Sequence, residues 1–169
     1  MRWRLTLQES DAAAVHALVA ETGFFSESEQ QVAVELVEET LSRSVASGYQ
    51  FVFADDRGDP GQLLGYTCYG AIPATASSYD LYWIAVAPGQ QRMGLGGELL
   101  RETEQLAMQQ GARRMFVDTS GREQYGPTRR FYERMGYRVE ARLEDFYAPG
   151  DDKIIFAKTL KCSNGRAGY

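Results

Sequence analysis

The 169 residues carry 18 Lys+Arg against 23 Asp+Glu, a formal charge of −5, with 44% hydrophobic and 24% charged residues. This is globular composition, too apolar for intrinsic disorder, and its acidic balance excludes a general nucleic-acid binder. No apolar run approaches the ~20 residues of a membrane span, so no membrane partner is expected, and Met1 to Glu9 hold no apolar stretch of signal-peptide length.

Cys68 and Cys162 lie far apart and form no disulfide framework, which fits a reduced, cytoplasmic protein. A single histidine, His16, speaks against a His-rich metal site, and no metal is expected. One domain is expected over residues 1–162, with residues 163–169 as a C-terminal tail. Charge is uneven along it. Residues 1–87 carry four basic and twelve acidic side chains, and residues 88–169 carry fourteen and eleven. Such asymmetry arises by chance on a surface, or it pairs an anionic ligand in the second half with a cationic one in the first.

Trp3, Leu5 and Leu7 alternate with polar residues and predict a first strand. Ser10 caps a helix with Val15, Leu18 and Val19 on its apolar face, broken at Gly23. Ser26 with Glu29 forms a capping-box pattern for a second helix carrying Ala33, Leu36, Val37 and Leu41, ending before Gly48. Strands follow over 49–54 and 62–71 around a turn cluster, and residues 80–86 are a nearly unbroken apolar run of the central-strand type. Residues 94–110 are an amphipathic helix with Gly111 beyond its end, and 114–119 a short strand. Pro127 opens another helix, which Gly136 closes. Strands over 137–147 and 153–160 complete the order β-α-α-β-β-β-α-β-α-β-β. That order predicts an α+β (α/β) domain with one mixed, mostly antiparallel sheet of about seven strands.

The most informative stretch is Val86-Ala87-Pro88-Gly89-Gln90-Gln91-Arg92-Met93-Gly94-Leu95-Gly96-Gly97, where a buried strand ends and a loop runs into a helix mouth. Free N–H groups and the helix dipole make such a mouth an anion site, and glycine lets a phosphate approach the backbone. A Walker loop needs Gly-Lys-Ser/Thr, but Gly96-Gly97-Glu98 stands there, and the last glycine of a Rossmann fingerprint is missing. The stretch instead resembles the acetyl-CoA loop of the GNAT superfamily of N-acetyltransferases, Val-x-Pro then Gln/Arg-x-x-Gly-x-Gly/Ala. Phe131-Tyr132-Glu133-Arg134-Met135-Gly136-Tyr137 resembles that family's next motif, in the right order. Two positions depart: Tyr125 stands where many members carry Asn, and Thr128 where many carry Ala.

The resemblance implies helices on both faces of the sheet and a central strand pair that splays at 80–86. It implies acetyl-CoA as cosubstrate, with its pantetheine arm along Ile84, Ala85 and Val86. The diphosphate would rest on the N–H groups around Gln91, Arg92, Met93, Gly94, Leu95, Gly96 and Gly97. The implied reaction is direct transfer of acetyl to a primary amine on a small molecule or a peptide, with Tyr132 as the acid for the leaving thiolate. The alternative is a catalytically silent acetyl-CoA sensor or scaffold. A homodimer is a candidate assembly.

An amine of pKa about 10 must lose its proton to attack, so a base or water chain is needed. Asp80 opens the splayed strand and alternates with Tyr82 and Ile84, and Asp118 ends the partner strand. Both are candidate bases, with Glu144 and Asp145 as weaker ones. Tyr66, Tyr69, Tyr79 and Tyr82 either pack the sheet or line an acceptor pocket. The acidic residues of the second helix, Glu35 and Glu38 among them, are a solvated face or a border for a cationic acceptor.

Overall fold

The structure, a computed structural model, describes residues 1–59 and 61–161. The expected tail and Cys162 lie outside them. The strands are β1 Arg2–Arg4, β2 Gln50–Asp55, β3 Leu63–Ala71, β4 Ser78–Val86, β5 Arg114–Ser120, β6 Arg138–Ala148 and β7 Asp151–Thr159. The helices are α1 Asp11–Glu21, α2 Glu27–Arg43, α3 Leu95–Gln109 and α4 Gly126–Arg134. They form the expected mixed sheet of seven strands, in the order β1-β2-β3-β4-β5-β7-β6. No helix of the described residues is long and apolar enough to cross a membrane. By internal contacts the chain divides into two compact units. One comprises residues 1–71 with 81–103, the other residues 72–80 with the described residues from 104 onward.

In the first unit, alternation along β3 decides which helix covers which face. Tyr66 and Cys68 join Val15, Val19, Ala33, Val37, Phe51 and Phe53 in the core beneath α1 and α2. The intervening Gly65 and Thr67 face α3. A Cβ on Gly65 would sit 2.9 Å from both Leu99 Cδ1 and the Ala85 carbonyl oxygen. The Thr67 hydroxyl lies 2.7 Å from that of Thr103. Helices therefore cover both faces of this unit.

The capping box of α2 forms as its sequence predicts: Glu29 N–H donates to Ser26 Oγ, and Ser26 N–H to Glu29 Oε2. Ser10 makes no side-chain cap for α1, contrary to expectation. Asp11 takes over, accepting from the Gln8 N–H at 2.7 Å. The first strand is also shorter than predicted. Trp3 and Leu5 are exposed, and the inward residue is Arg4, whose guanidinium is clamped by Asp11 and Asp55 at 2.8 Å each. That buried ion cluster, rather than an apolar stripe, fixes the register of β1.

In the second unit, β5 pairs antiparallel with β7, and β7 with β6. Phe156 of β7 is buried against Tyr132 of α4, and Lys158 donates to Glu104 of α3 at 2.7 Å. Residues two apart on a strand share a face, so both helical contacts lie on one side of β7. Lys153 and Ile155 lie on the other side, where Leu143, Phe146 and Tyr147 of β6 are exposed.

Candidate active site

The functional loop belongs to the first unit. After β4 the chain makes a 3-10 turn over Pro88–Gln90, and the Gln91 side chain reaches back to donate to the Val86 carbonyl at 3.2 Å. Arg92 and Gly94 then adopt positive φ, 63° and 92°. Only glycine takes such a conformation freely, so the strain at Arg92 marks a constrained turn. The first hydrogen bond of the α3 ladder is Glu98 N–H to Gly94 O at 3.1 Å. The N–H groups of Leu95, Gly96 and Gly97 precede that ladder and carry the positive end of the helix dipole. Arg92, Met93 and Gly94 are exposed, and Leu95 is anchored in the core. These are the properties a diphosphate needs: unpaired donors, an open approach and a fixed backbone.

Ile84 and Val86 are half-buried on β4, and Ala85 is buried. The expectation that Asp80, Tyr82 and Ile84 share a face fails for Ile84. Consecutive Tyr82 and Trp83 both pack on the α1/α2 cluster, so the alternation breaks there. Ala85 and Ala87 continue with Trp83, and Ile84 and Val86 turn to the opposite side. The parallel pairing of β4 with β5 covers Ser78–Asp80 against Arg114–Phe116 among the described residues. β4 then runs on to Val86, and β5 to Ser120.

Tyr132 lies in the second unit, on α4. Its ring is 3% exposed and packs on Tyr137 and Phe156 at 5.7 and 5.9 Å between centroids. The motif glycine has a backbone reason: Gly136, at φ 86°, reverses the chain so that Tyr137 N–H bonds the Tyr132 carbonyl at 3.0 Å. Burial pushes the Tyr132 hydroxyl up, so it keeps its proton at neutral pH. Tyr125, at the usual Asn position, is buried in a 3-10 turn with the Arg122 guanidinium over its ring at 5.6 Å.

Asp80 and Asp118 also lie in the second unit and share a face. Asp80 stands opposite Phe116, two residues before Asp118. Asp118 is exposed and bound to Lys153, Oδ2 to Nζ 2.5 Å. Asp80 is half-buried, and its carboxyl is pushed up to about 6, first by burial, then by the charge of Asp118, with Lys153 opposing. Asp145 is excluded as a base because it is occupied in the β6–β7 turn, its Oδ1 accepting from Gly150 N–H at 2.6 Å.

Sequence reasoning missed Lys153, because only the β5–β7 register shows that it reaches Asp118. It also missed Gly65, whose close neighbours come from β4 and α3. The four tyrosines resolve largely into packing: Tyr66 stacks with Phe51 and Phe53, Tyr69 bonds Gln50, buried Tyr79 donates to the Gln110 carbonyl at 3.4 Å, and Tyr82 meets Tyr49 edge-on. Cys68 is buried, and burial pushes its thiol up, which removes its nucleophilic form. His16 is exposed on α1. Among the described residues no group of three His, Cys, Asp or Glu side chains is arranged to hold a metal ion.

The model of the acetyltransferase (GNAT) family matches residues 12–137. A crystal structure from Desulfovibrio desulfuricans, assigned to the GNAT family, is 48% identical, with a TM-score of 0.91 over 95% of this chain and 99% of its own. An aminoglycoside 6'-N-acetyltransferase in complex with coenzyme A shares the fold at 17% identity and a TM-score of 0.73, covering 95% and 98% of the two chains. The ribosomal-protein-S18-alanine N-acetyltransferase of Escherichia coli does so at 19% and 0.71, covering 99% of each. No curated protein sequence matches the chain. Its loop, its sheet and these likenesses agree: the chain belongs to the GNAT family of acetyltransferases, which draw their acetyl group from acetyl-CoA.

Proposed function

We propose that this enzyme transfers acetyl from acetyl-CoA to a primary amine by direct attack, with Asp80 as the base and Tyr132 as the acid. The observation that carries the reading is the placement of Asp80, half-buried on β4 on the face it shares with Asp118, where burial and that neighbouring charge push its carboxyl up to about 6. A base with that value is ionised at pH 7.5 and strong enough to accept a proton from an amine as it attacks. Asp118, tied to Lys153, is the lesser candidate. The 17–19% identical structures named for aminoglycoside and ribosomal-protein-alanine acetylation both act on amines, which supports the acceptor class.

The N–H groups around Arg92 to Gly97 hold the diphosphate, and the β4 edge at Ile84 to Val86 receives the pantetheine amides. A backbone N–H at Val86 stabilises the negative charge that develops on the thioester oxygen. Tyr132 supplies the proton for the departing sulfur. Residues 1–162 work as one N-acetyltransferase domain.

Thiol release from acetyl-CoA over a panel of amines, alcohols and thiols tests the reading. Amines are expected to support turnover, with kcat/KM rising through pH 6 as Asp80 ionises. Asp80→Asn should lower kcat about 10²- to 10⁴-fold, the range of a positioned general base. Tight acetyl-CoA binding with no turnover on any amine would instead mark a silent sensor.

A further inference from the structure

The second unit holds a resident cation on the face that carries Asp80. Lys153 sits 2.5 Å from Asp118 and 4.8 Å from the centre of the Phe146 ring, and its side chain is 20% exposed against 43% for Asp118. An ammonium between a carboxylate and an aromatic ring is the arrangement by which proteins bind cationic ligands. Here the protein's own side chain occupies it. We infer that Lys153 limits how much positive charge the acceptor can carry: its ammonium fills the second cationic position of this face and leaves Asp80 for a single amine. This inference rests on the proposed role of Asp80.

The charged groups on this face can be followed strand by strand. Asp80 comes from β4 and Asp118 from β5. Arg114, also on β5, is bound to Glu140 of β6 at 2.8 Å and stacked on Phe116. Lys153 comes from β7, with Tyr147 of the β6 end acting on its charge. Glu104 and Lys158 pair on the opposite, helix-covered side. The formal charges of Asp80, Asp118 and Lys153 sum to one negative charge. A monoammonium neutralises it. The second ammonium of a diamine meets Lys153 as a like charge.

The test compares hexylamine with hexane-1,6-diamine. Equilibrium binding is followed by the carboxyl ¹³C shifts of Asp80 and Asp118, and turnover by thiol release. Wild type should bind the diamine more weakly than the monoamine once the diamine's two ends are counted, because its second ammonium meets Lys153. Lys153→Met, which keeps the apolar stem, should raise the diamine-to-monoamine affinity ratio roughly tenfold, the effect of removing one charge at close range in a half-exposed site. The kcat/KM ratio should follow through KM. Lys153→Arg should hold the wild-type ratio, and Lys153→Gln serves if the Met variant does not fold. An unchanged binding ratio in a folded, charge-free variant overturns the inference. A shifted binding ratio with no turnover on either amine keeps Lys153's role and removes that of Asp80 as base.

Discussion

In the proposed mechanism two protons decide the chemistry at the residue scale, one on a hydroxyl and one on a carboxyl. Burial raises Tyr132 and Asp80 alike, but with opposite consequences. The raised tyrosine stays protonated and can donate, whereas the carboxyl near 6 can still ionise and accept. If Tyr132 is the acid, a thiolate formed in the same dry surroundings would also have its proton affinity raised, so the transfer would be less uphill than solution values imply. Tyr132→Phe keeps the ring packed on Tyr137 and Phe156 and removes only the hydroxyl. It should lower kcat about 10²- to 10⁴-fold with acetyl-CoA affinity unchanged. Wild-type turnover in that variant would return Tyr132 to a packing role. Asp80 also carries a stability cost with a definite sign. Its folded-state value lies above the unfolded one, so its contribution is fully present below about 4 and is lost as pH rises through about 6. Asp80→Asn should therefore raise Tm at pH 8, by roughly 2–4 °C, and have little effect on it at pH 4.

At the scale of elements, the β4–α3 connection does most to make a binding surface. Gly94 has open space around it and φ 92°, so a side chain there strains the backbone without meeting a neighbour. Gly94→Val is expected to weaken acetyl-CoA binding about tenfold or more, since a β-branched residue in that region costs at least 1–2 kcal/mol and displaces the donors. Calorimetric titration with acetyl-CoA checks it. Unchanged affinity in the folded variant would detach this loop from the diphosphate. The loop was legible in the sequence because its chemistry is local: glycines, a strand end and a helix start are contiguous. The α2 capping box, the Pro127 start of α4 and the glycine after Tyr132 were legible for the same reason. Register was not. The exchange of Arg4 for Trp3 and Leu5 as the inward group of β1 depends on Asp55, some fifty residues away. The break at Tyr82–Trp83 depends on both rings packing on the one cluster beneath α1 and α2. The Lys153–Asp118 pair depends on β5 meeting β7. Each is a consequence of strand pairing that a reading of neighbours along the chain cannot supply.

Across the whole molecule, the paired charges near the first strand hold the fold. Arg4 joins β1 to α1 through Asp11 and to β2 through Asp55, with all three side chains no more than 12% exposed. The cluster borders a cavity of about 290 Å³, but Arg4, Asp11 and Asp55 already satisfy one another there, so it reads as structure. Burial alone would lower the Arg4 pKa and raise that of Asp55. The hydrogen bonds between them overcome it, raising the arginine and holding the Asp55 carboxyl below its usual value. A depressed carboxyl contributes stability that is present above its unfolded pKa of about 3.9 and is lost as pH falls through its folded value. Arg4→Met keeps the apolar stem and removes the cation between two buried carboxylates, leaving Asp55 only the exposed Arg2 at 3.2 Å, a loss of about 3–5 kcal/mol at pH 7. Urea denaturation at pH 7 and at pH 3 should show that gap shrinking in acid, because protonating Asp55 relieves the variant of a charge Arg4 had balanced. Acetyl-CoA affinity of the folded variant should stay at the wild-type value. A gap of the same size at both pH values would mean that Arg4 stabilises β1 by packing on Phe53, over which its guanidinium lies at 4.3 Å, and not by charge.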